Sequence, residues 1–245
     1  MSVAEQGQAV GGGTLSGRDK RFILLQVNDA LFPIGGYAHS WGLETYIQKA
    51  LVTTAEEALE FIRGRLLYAF CYADLLAARI AWECAAEGDV AHLGDLEDTL
   101  EASRTPREVR DAAAKIGSRF VKTVLSLQLP YERGAFTLYT EARRGKGLTH
   151  QVAYGAFCAS VGIAKEAALE HFLYAQTSAL VTCCVKSVPL SQSAGQRLLC
   201  GLHPVFAQVM EQVEAASEAD LCRSTPGFDI RCMQHEGLYS RIYMS

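Results

Sequence analysis

The chain has 245 residues, 49% of them hydrophobic, and a formal net charge of -4 at pH 7. That length suits one large domain or two small ones, with enough apolar material to bury a core without disulfide staples. The acidic balance argues against a nucleic-acid binder, which would carry a basic stripe, and the one local basic cluster, Arg143, Arg144 and Lys146, reads as a solvated turn.

In chain order, Met1 to about Gly17 is rich in Gly, Ser and Gln and has no apolar run of the signal-peptide kind, so residues 1–20 are expected to be a flexible N-terminal tail. From Arg21 onward the apolar spacing is helical. The segment "RFILLQVNDALF" leads into a loop, "FPIGGYAHSWGLE" (Phe32–Glu44), in which Pro33 should end one helix, Gly35 and Gly36 supply unusual backbone angles, and Ser40 cap the next helix. Thr54 and Glu57 form a capping-box pattern ahead of one apolar stripe, Leu59, Ile62, Leu66, Phe70, Ala73, Leu76 and Ile80. Thr105-Pro106-Arg107-Glu108 repeats the capping pattern with a proline added. Shorter helices are expected over about 131–143, over 149–161 closed by Gly162, and over 164–187. A last long helix starts near Ser191, with Leu202, Phe206, Val209 and Val213 on its apolar side and a kink at Pro204. Alternating strand patterns are absent. The expectation is an all-α, single-domain helical bundle of about nine or ten helices spanning residues 21–245.

Of the eight cysteines, Cys71, Cys84, Cys158, Cys183, Cys184 and Cys200 fall in apolar helical stretches, where free cysteine acts as a small hydrophobe. The most apolar segment, Phe172–Val185, is shorter than the roughly 20 residues needed to cross a bilayer. A cytoplasmic protein with no membrane association is expected.

Chemistry is hard to find. "GGGTLSG" lacks the lysine of a phosphate-binding loop and a strand before it, and "PIGGYAHSWG" does not fit GxGxxG. There is no GxSxG nucleophile elbow. Cys232 and His235, three apart in "CMQH", are weak metal candidates together with Cys222, but a structural zinc site wants four ligands and a paired spacing. Acidic groups such as Glu56-Glu57 or Asp95, Glu97 and Asp98 read as solvated turns. No catalytic residue and no stably bound cofactor follow from the sequence.

Two segments do not fit a purely structural reading. The loop gathers Tyr37, His39 and Trp41 around its glycines, and aromatic-rich loops present contact surfaces. The C-terminal "MQHEGLYSRIYMS" carries Leu238, Tyr239, Ile242, Tyr243 and Met244, with Arg241 its one charge after Glu236. Such a tail must dock on its own core or on a partner. Residues from about 231 to 245 are expected to be mobile in the free chain and to order on binding. If Arg241 instead pairs within the chain, Glu236 is the nearest carboxylate.

"LLQVNDALFPIGGYAHSWGLETYIQ" (Leu24–Gln48), "LYAQTSALVTCCVKSVPLSQSAGQ" (Leu173–Gln196) and "MQHEGLYSRIYMS" (Met233–Ser245) together resemble the urease accessory protein UreF family. The tyrosine-rich end is similar to the subgroup whose partner is called UreH rather than UreD. The resemblance implies an all-α homodimer that is not an enzyme, binds UreH/UreD, recruits and regulates the GTPase UreG, and helps deliver nickel to apo-urease. Nickel would be handled transiently by the complex and GTP bound by UreG. By the family's pattern Tyr37, His39 and Arg241 lie on the partner-binding face. The alternative from the residues alone is a helical small-molecule-binding or catalytic protein with a pocket under the Gly35–Gly42 loop.

Overall fold

A computed structural model of the chain describes residues 14–245, so most of the tail expected over residues 1–20 lies outside the described residues. Its last part is helical. Helix α1 (Gly17–Val27) begins at Gly17, where Ser16 Oγ accepts from the Asp19 N–H and the Asp19 carboxylate accepts from the Ser16 N–H. Among the described residues there are helices and turns and no strand, in agreement with the helical spacing of the sequence.

After the loop and the short α2 (Leu43–Gln48), the chain runs through α3 (Ala55–Gly64), a π-helical segment (Arg65–Leu75) and α4 (Leu76–Glu87) as one rod. Its start is the capping box read from the sequence: Thr54 Oγ1 accepts from the Glu57 N–H at 3.2 Å, and Glu57 accepts from the Thr54 N–H at 3.2 Å. The π-helical stretch changes the period. Each N–H reaches five residues back, so a turn takes more residues than in an α-helix and the inward face shifts register, and Leu66, Cys71, Leu75 and Leu76 are all fully buried. The same shift brings Asp74 inside, where it accepts from Arg104 at 3.0 Å and from Gln151.

The remaining helices are α5 (Val90–Ser103), α6 (Arg107–Ser126), α7 (Ala135–Ala142), α8 (His150–Ser160), α9 (Lys165–Ser187), α10 (Gln192–Gly201), α11 (His203–Ala215) and α12 (Pro226–His235). Helix α8 has no charged face and is buried along its whole length, as an all-round apolar helix must be. Helix α4 lies along it. The two approach so closely at Gly155 that a Cβ there would sit 2.2 Å from the Ala78 carbonyl oxygen. Gly162, at φ +74°, closes the α8 turn as expected.

Three expectations are corrected. The helix begun near Ser191 does not bend at Pro204. It ends at Gly201 and a new helix starts at His203, placing the proline in a first turn, where its missing N–H costs nothing. The second capping box does not form: Pro106 occupies the N-cap position without a side-chain bond, and Glu108 is used elsewhere. Nor are Arg143 and Glu97 solvated. Arg143 is buried and pairs with Asp98, while Glu97, 1% exposed, accepts from the Thr149 N–H at 2.9 Å and from the Tyr139 hydroxyl. Together they clamp α5 to α7 and to the start of α8. No helix of the described residues is long and apolar enough to cross a membrane. Of the six cysteines placed in apolar stretches only Cys200 is exposed.

Candidate partner-binding face at the loop and the tail

The loop is built from backbone that few side chains tolerate. Gly35 (φ +80°) and Gly42 (φ +88°) take the left-handed region, Trp41 (φ 54°) joins them, and Gly36 to Ala38 form one tight turn. Gly36 itself has no unusual angle, contrary to expectation. Gly42 is needed twice over, because a Cβ at that position would lie 2.7 Å from Cys232 Sγ on α12. Ser40 does not occupy the N-cap of α2, which is Gly42, although its Oγ accepts from the Glu44 N–H at 3.3 Å.

Against this loop the last residues of the chain fold back as a strap. The sequence leads one to expect mobility over residues 231–245, whereas here the segment is bonded to its own chain. Met244 donates its N–H to the Ala38 carbonyl at 2.8 Å, and the Ser245 carbonyl accepts from the N–H groups of Ser40 at 2.7 Å and Trp41 at 3.1 Å and from Ser40 Oγ at 2.8 Å. His39 Nδ1 lies 2.8 Å from Ser245 Oγ. Burial, helped by the nearby charges of Lys115 and Arg119, lowers the His39 pKa.

The strap is anchored on Glu44, a carboxylate only 2% exposed. A charge so buried must be fully paired. Its oxygens accept from the Ile242 N–H at 2.7 Å, the Tyr243 N–H at 3.1 Å and His235 Nε2 at 2.9 Å. The other ring nitrogen of His235 faces Glu108 Oε2 at 2.7 Å, and Glu108 Oε1 accepts from Arg241 at 2.6 Å. Burial alone would raise the Glu108 carboxyl, but the bonds from His235 and Arg241 outweigh it and hold it below its ordinary range. Arg241 therefore pairs with Glu108 on α6 and not with Glu236, which is held by Arg107 at 2.7 Å.

Because the strap's backbone is spent on Glu44 and the loop, its apolar side chains splay outward. Tyr239, Ile242 and Met244 are exposed, as is Tyr37 at 70%. Tyr243 turns inward beside Cys183 on α9 and is buried. Of the residues read as partner-binding, Tyr37, Tyr239, Arg241, Ile242 and Met244 thus share an exposed face. Trp41 and Leu238 are half-buried, and His39 and Tyr243 act as internal fasteners. No local sequence signal marks Glu44, and the spacing of Glu108 points to a cap and not to this network.

Among the described residues no group of three or more His, Cys, Asp or Glu side chains is placed to hold a metal ion. The two carboxylates at His235 approach opposite ring nitrogens and cannot share one ion with it. Cys232 is buried against Gly42, and burial pushes its thiol up to about 11, the opposite of what a metal-binding thiolate needs. Beside the strap lies a cleft of about 520 Å³, lined by His39, Arg107, Glu108, Asp111, Lys115 and Arg241 among others. It is bounded by α6 and the strap; His39 is the one residue of the Gly35–Gly42 loop that lines it.

A UreF family profile matches residues 52–203. The urease accessory protein UreF of Haemophilus influenzae is 32% identical over 222 residues, covering 91% of this chain and 94% of that protein. The urease accessory protein UreF of Lachnoclostridium phytofermentans is 32% identical over 225 residues, covering 91% of this chain and 97% of its own length. With a helical fold over the described residues and likeness over nearly the whole chain, the conclusion is direct: the chain belongs to the UreF family, a family of urease accessory proteins rather than of enzymes.

Proposed function

We propose that the protein is a urease-maturation scaffold that binds a UreH/UreD partner, recruits and regulates the GTPase UreG, and helps deliver nickel to apo-urease, working as a homodimer. Nickel passes transiently through the complex, and GTP is bound by UreG. One observation carries this reading: Tyr239, Ile242 and Met244 stand exposed on a strap whose backbone is fixed from beneath by a buried carboxylate, with Tyr37 exposed on the loop the strap is bonded to. A rigid backbone bearing outward apolar groups is pre-organised for a partner, and full burial of each such side chain contributes roughly 1.5–3 kcal/mol. In this reading the strap's apolar residues hold UreH, while Arg241 and Tyr37 contribute to UreG recruitment. The small-molecule alternative gains little from the cleft, whose Glu108, Arg107 and Arg241 are already paired within the chain.

Co-expression with UreH and UreG followed by gel filtration tests the proposal. The wild-type chain is expected to co-elute with both. Tyr37→Ala/Ile242→Ala/Met244→Ala is expected to lose the complex and urease activation in cells while keeping its helical circular-dichroism signal. Normal assembly and activation by that variant would remove the support.

A further inference from the structure

The cleft between α6 and the strap has an uneven charge. Both Glu108 oxygens are taken by His235 and Arg241, and Arg107 is taken by Glu236. About two and three turns further along α6, Lys115 and Arg119 are exposed, and among the described residues neither has a carboxylate within 4.0 Å. Lys122 continues the same exposed face, so three cations recur at steps of four and three with no acid between them. The Arg119 guanidinium lies over the loop, its Nη1 only 2.8 Å from where a Gly35 Cβ would stand. Their field reaches the far wall of the cleft, where it adds to burial in lowering the His39 pKa. Asp111, at the Arg107 end, is the one acid of the cleft outside these pairs. Opposite the cations stand the strap's exposed Ile242 and Met244.

On a chain of net charge -4, an unneutralised basic strip beside an apolar ledge is a local exception. We propose that this cleft docks an acidic segment of a partner protein, its carboxylates pairing with Lys115 and Arg119 and a neighbouring apolar residue lying on Ile242 and Met244. The proposal rests on the interface reading above and adds the chemistry of what is recognised. A protein segment fits better than a polyphosphate backbone, because the cationic strip is short and the rest of the surface repels a polyanion. Charge complementarity of this kind sets orientation and association rate and excludes wrongly charged partners.

The test uses the full chain, a fluorescein-labelled peptide of Glu-Glu-Leu repeats, its Lys-Lys-Leu counterpart and a single-stranded oligonucleotide, with binding read by fluorescence anisotropy at low and at physiological salt. The acidic peptide is expected to bind wild type in a salt-sensitive way. Binding should weaken by about tenfold or more, equivalent to about 1.4 kcal/mol, in Lys115→Glu/Arg119→Glu and also in Lys115→Gln/Arg119→Gln. Arg144→Glu/Lys146→Glu, an equal charge change on another exposed loop, should leave it unchanged. Absence of acidic-peptide binding to wild type, unchanged affinity in the folded Gln variant, or equal binding of the basic peptide or a preference for the oligonucleotide would each overturn the proposal. Co-elution with UreH and UreG separates it from the functional reading. If the Tyr37/Ile242/Met244 variant loses the partners while the Lys115/Arg119 variants keep both partners and peptide, this proposal alone fails. If every variant keeps the partners, the functional reading fails with it.

Discussion

Glu44 shows how much of an exposed surface can depend on one residue that is itself buried. Its carboxylate accepts from two strap N–H groups and one imidazole, and neither backbone groups nor ring can find water in its place. Glu44→Gln keeps the size but turns one acceptor oxygen into a donor amide, so strap donors would face a donor. Removing one member of a buried charged network costs about 3–5 kcal/mol, which here falls mainly on the strap. The expected result is rapid hydrogen exchange at the Ile242 and Tyr243 amides with the core helices still protected, and unchanged protection of the strap would contradict it. The apolar residues of the face were legible in the sequence because Tyr37, Tyr239, Ile242 and Met244 are out of place in a loop and a terminus. Glu44 and Glu108 were not, because their roles come from His235, 191 and 127 residues away, and no local pattern records so distant a partner.

At the scale of elements, helix existence was readable from apolar spacing and boundaries were not always. Thr54 and Glu57 form the box their spacing promises, whereas Glu108 has the same spacing and is drawn off by His235 and Arg241. A capping pattern is a local preference, and hydrogen-bonding partners brought in by the tertiary fold outweigh it. The α4–α8 contact was invisible for a different reason: Gly155 reads as a weak point of a helix until Ala78 is brought against it. With a Cβ at Gly155 only 2.2 Å from a backbone oxygen, neither helix can yield without moving its neighbours. Gly155→Ala is therefore expected to destabilise by about 3 kcal/mol, despite alanine's better helix propensity. Thermal unfolding measures it, and a melting temperature equal to or above wild type would show that the helices can part.

The stability of the whole molecule should carry the mark of His150, which sits in the core among Phe120, Tyr154 and Phe172 with its Nε2 unpartnered. Burial pushes this imidazole down to about 4, from 6.5 in the unfolded chain. Between those values the unfolded state holds a proton that the folded state refuses, so stability falls as pH drops through the window, by about 3 kcal/mol in all. His150→Leu removes the titration. Chemical denaturation at pH 7 and pH 4.5 is expected to show a smaller acid loss for the variant than for wild type, and equal losses would mean the imidazole is not the cause. The fold class was legible because a helical period dominates the chain. The core position of α8 was not read from the sequence, although a segment without a charged face has nowhere else to go.

The π-helical turn between α3 and α4 has one more consequence, which concerns rotation about the helix axis. A segment pairing five residues back stores a phase offset relative to an α-helix, and everything downstream is aimed by it. Tyr68 is exposed, 62%, in that segment. Tyr68→Ala should thus be nearly silent, yet deletion of Tyr68 would turn Leu76–Glu87 by about 100° relative to α3 if the helix stays continuous. Ala78 and Ala81 would then swing away from Gly155, and larger side chains would be driven against it. The expected outcome is a soluble, folded substitution and an insoluble or unfolded deletion at the same surface residue. A deletion that folds with wild-type thermal stability would show that the rod absorbs the lost residue without turning.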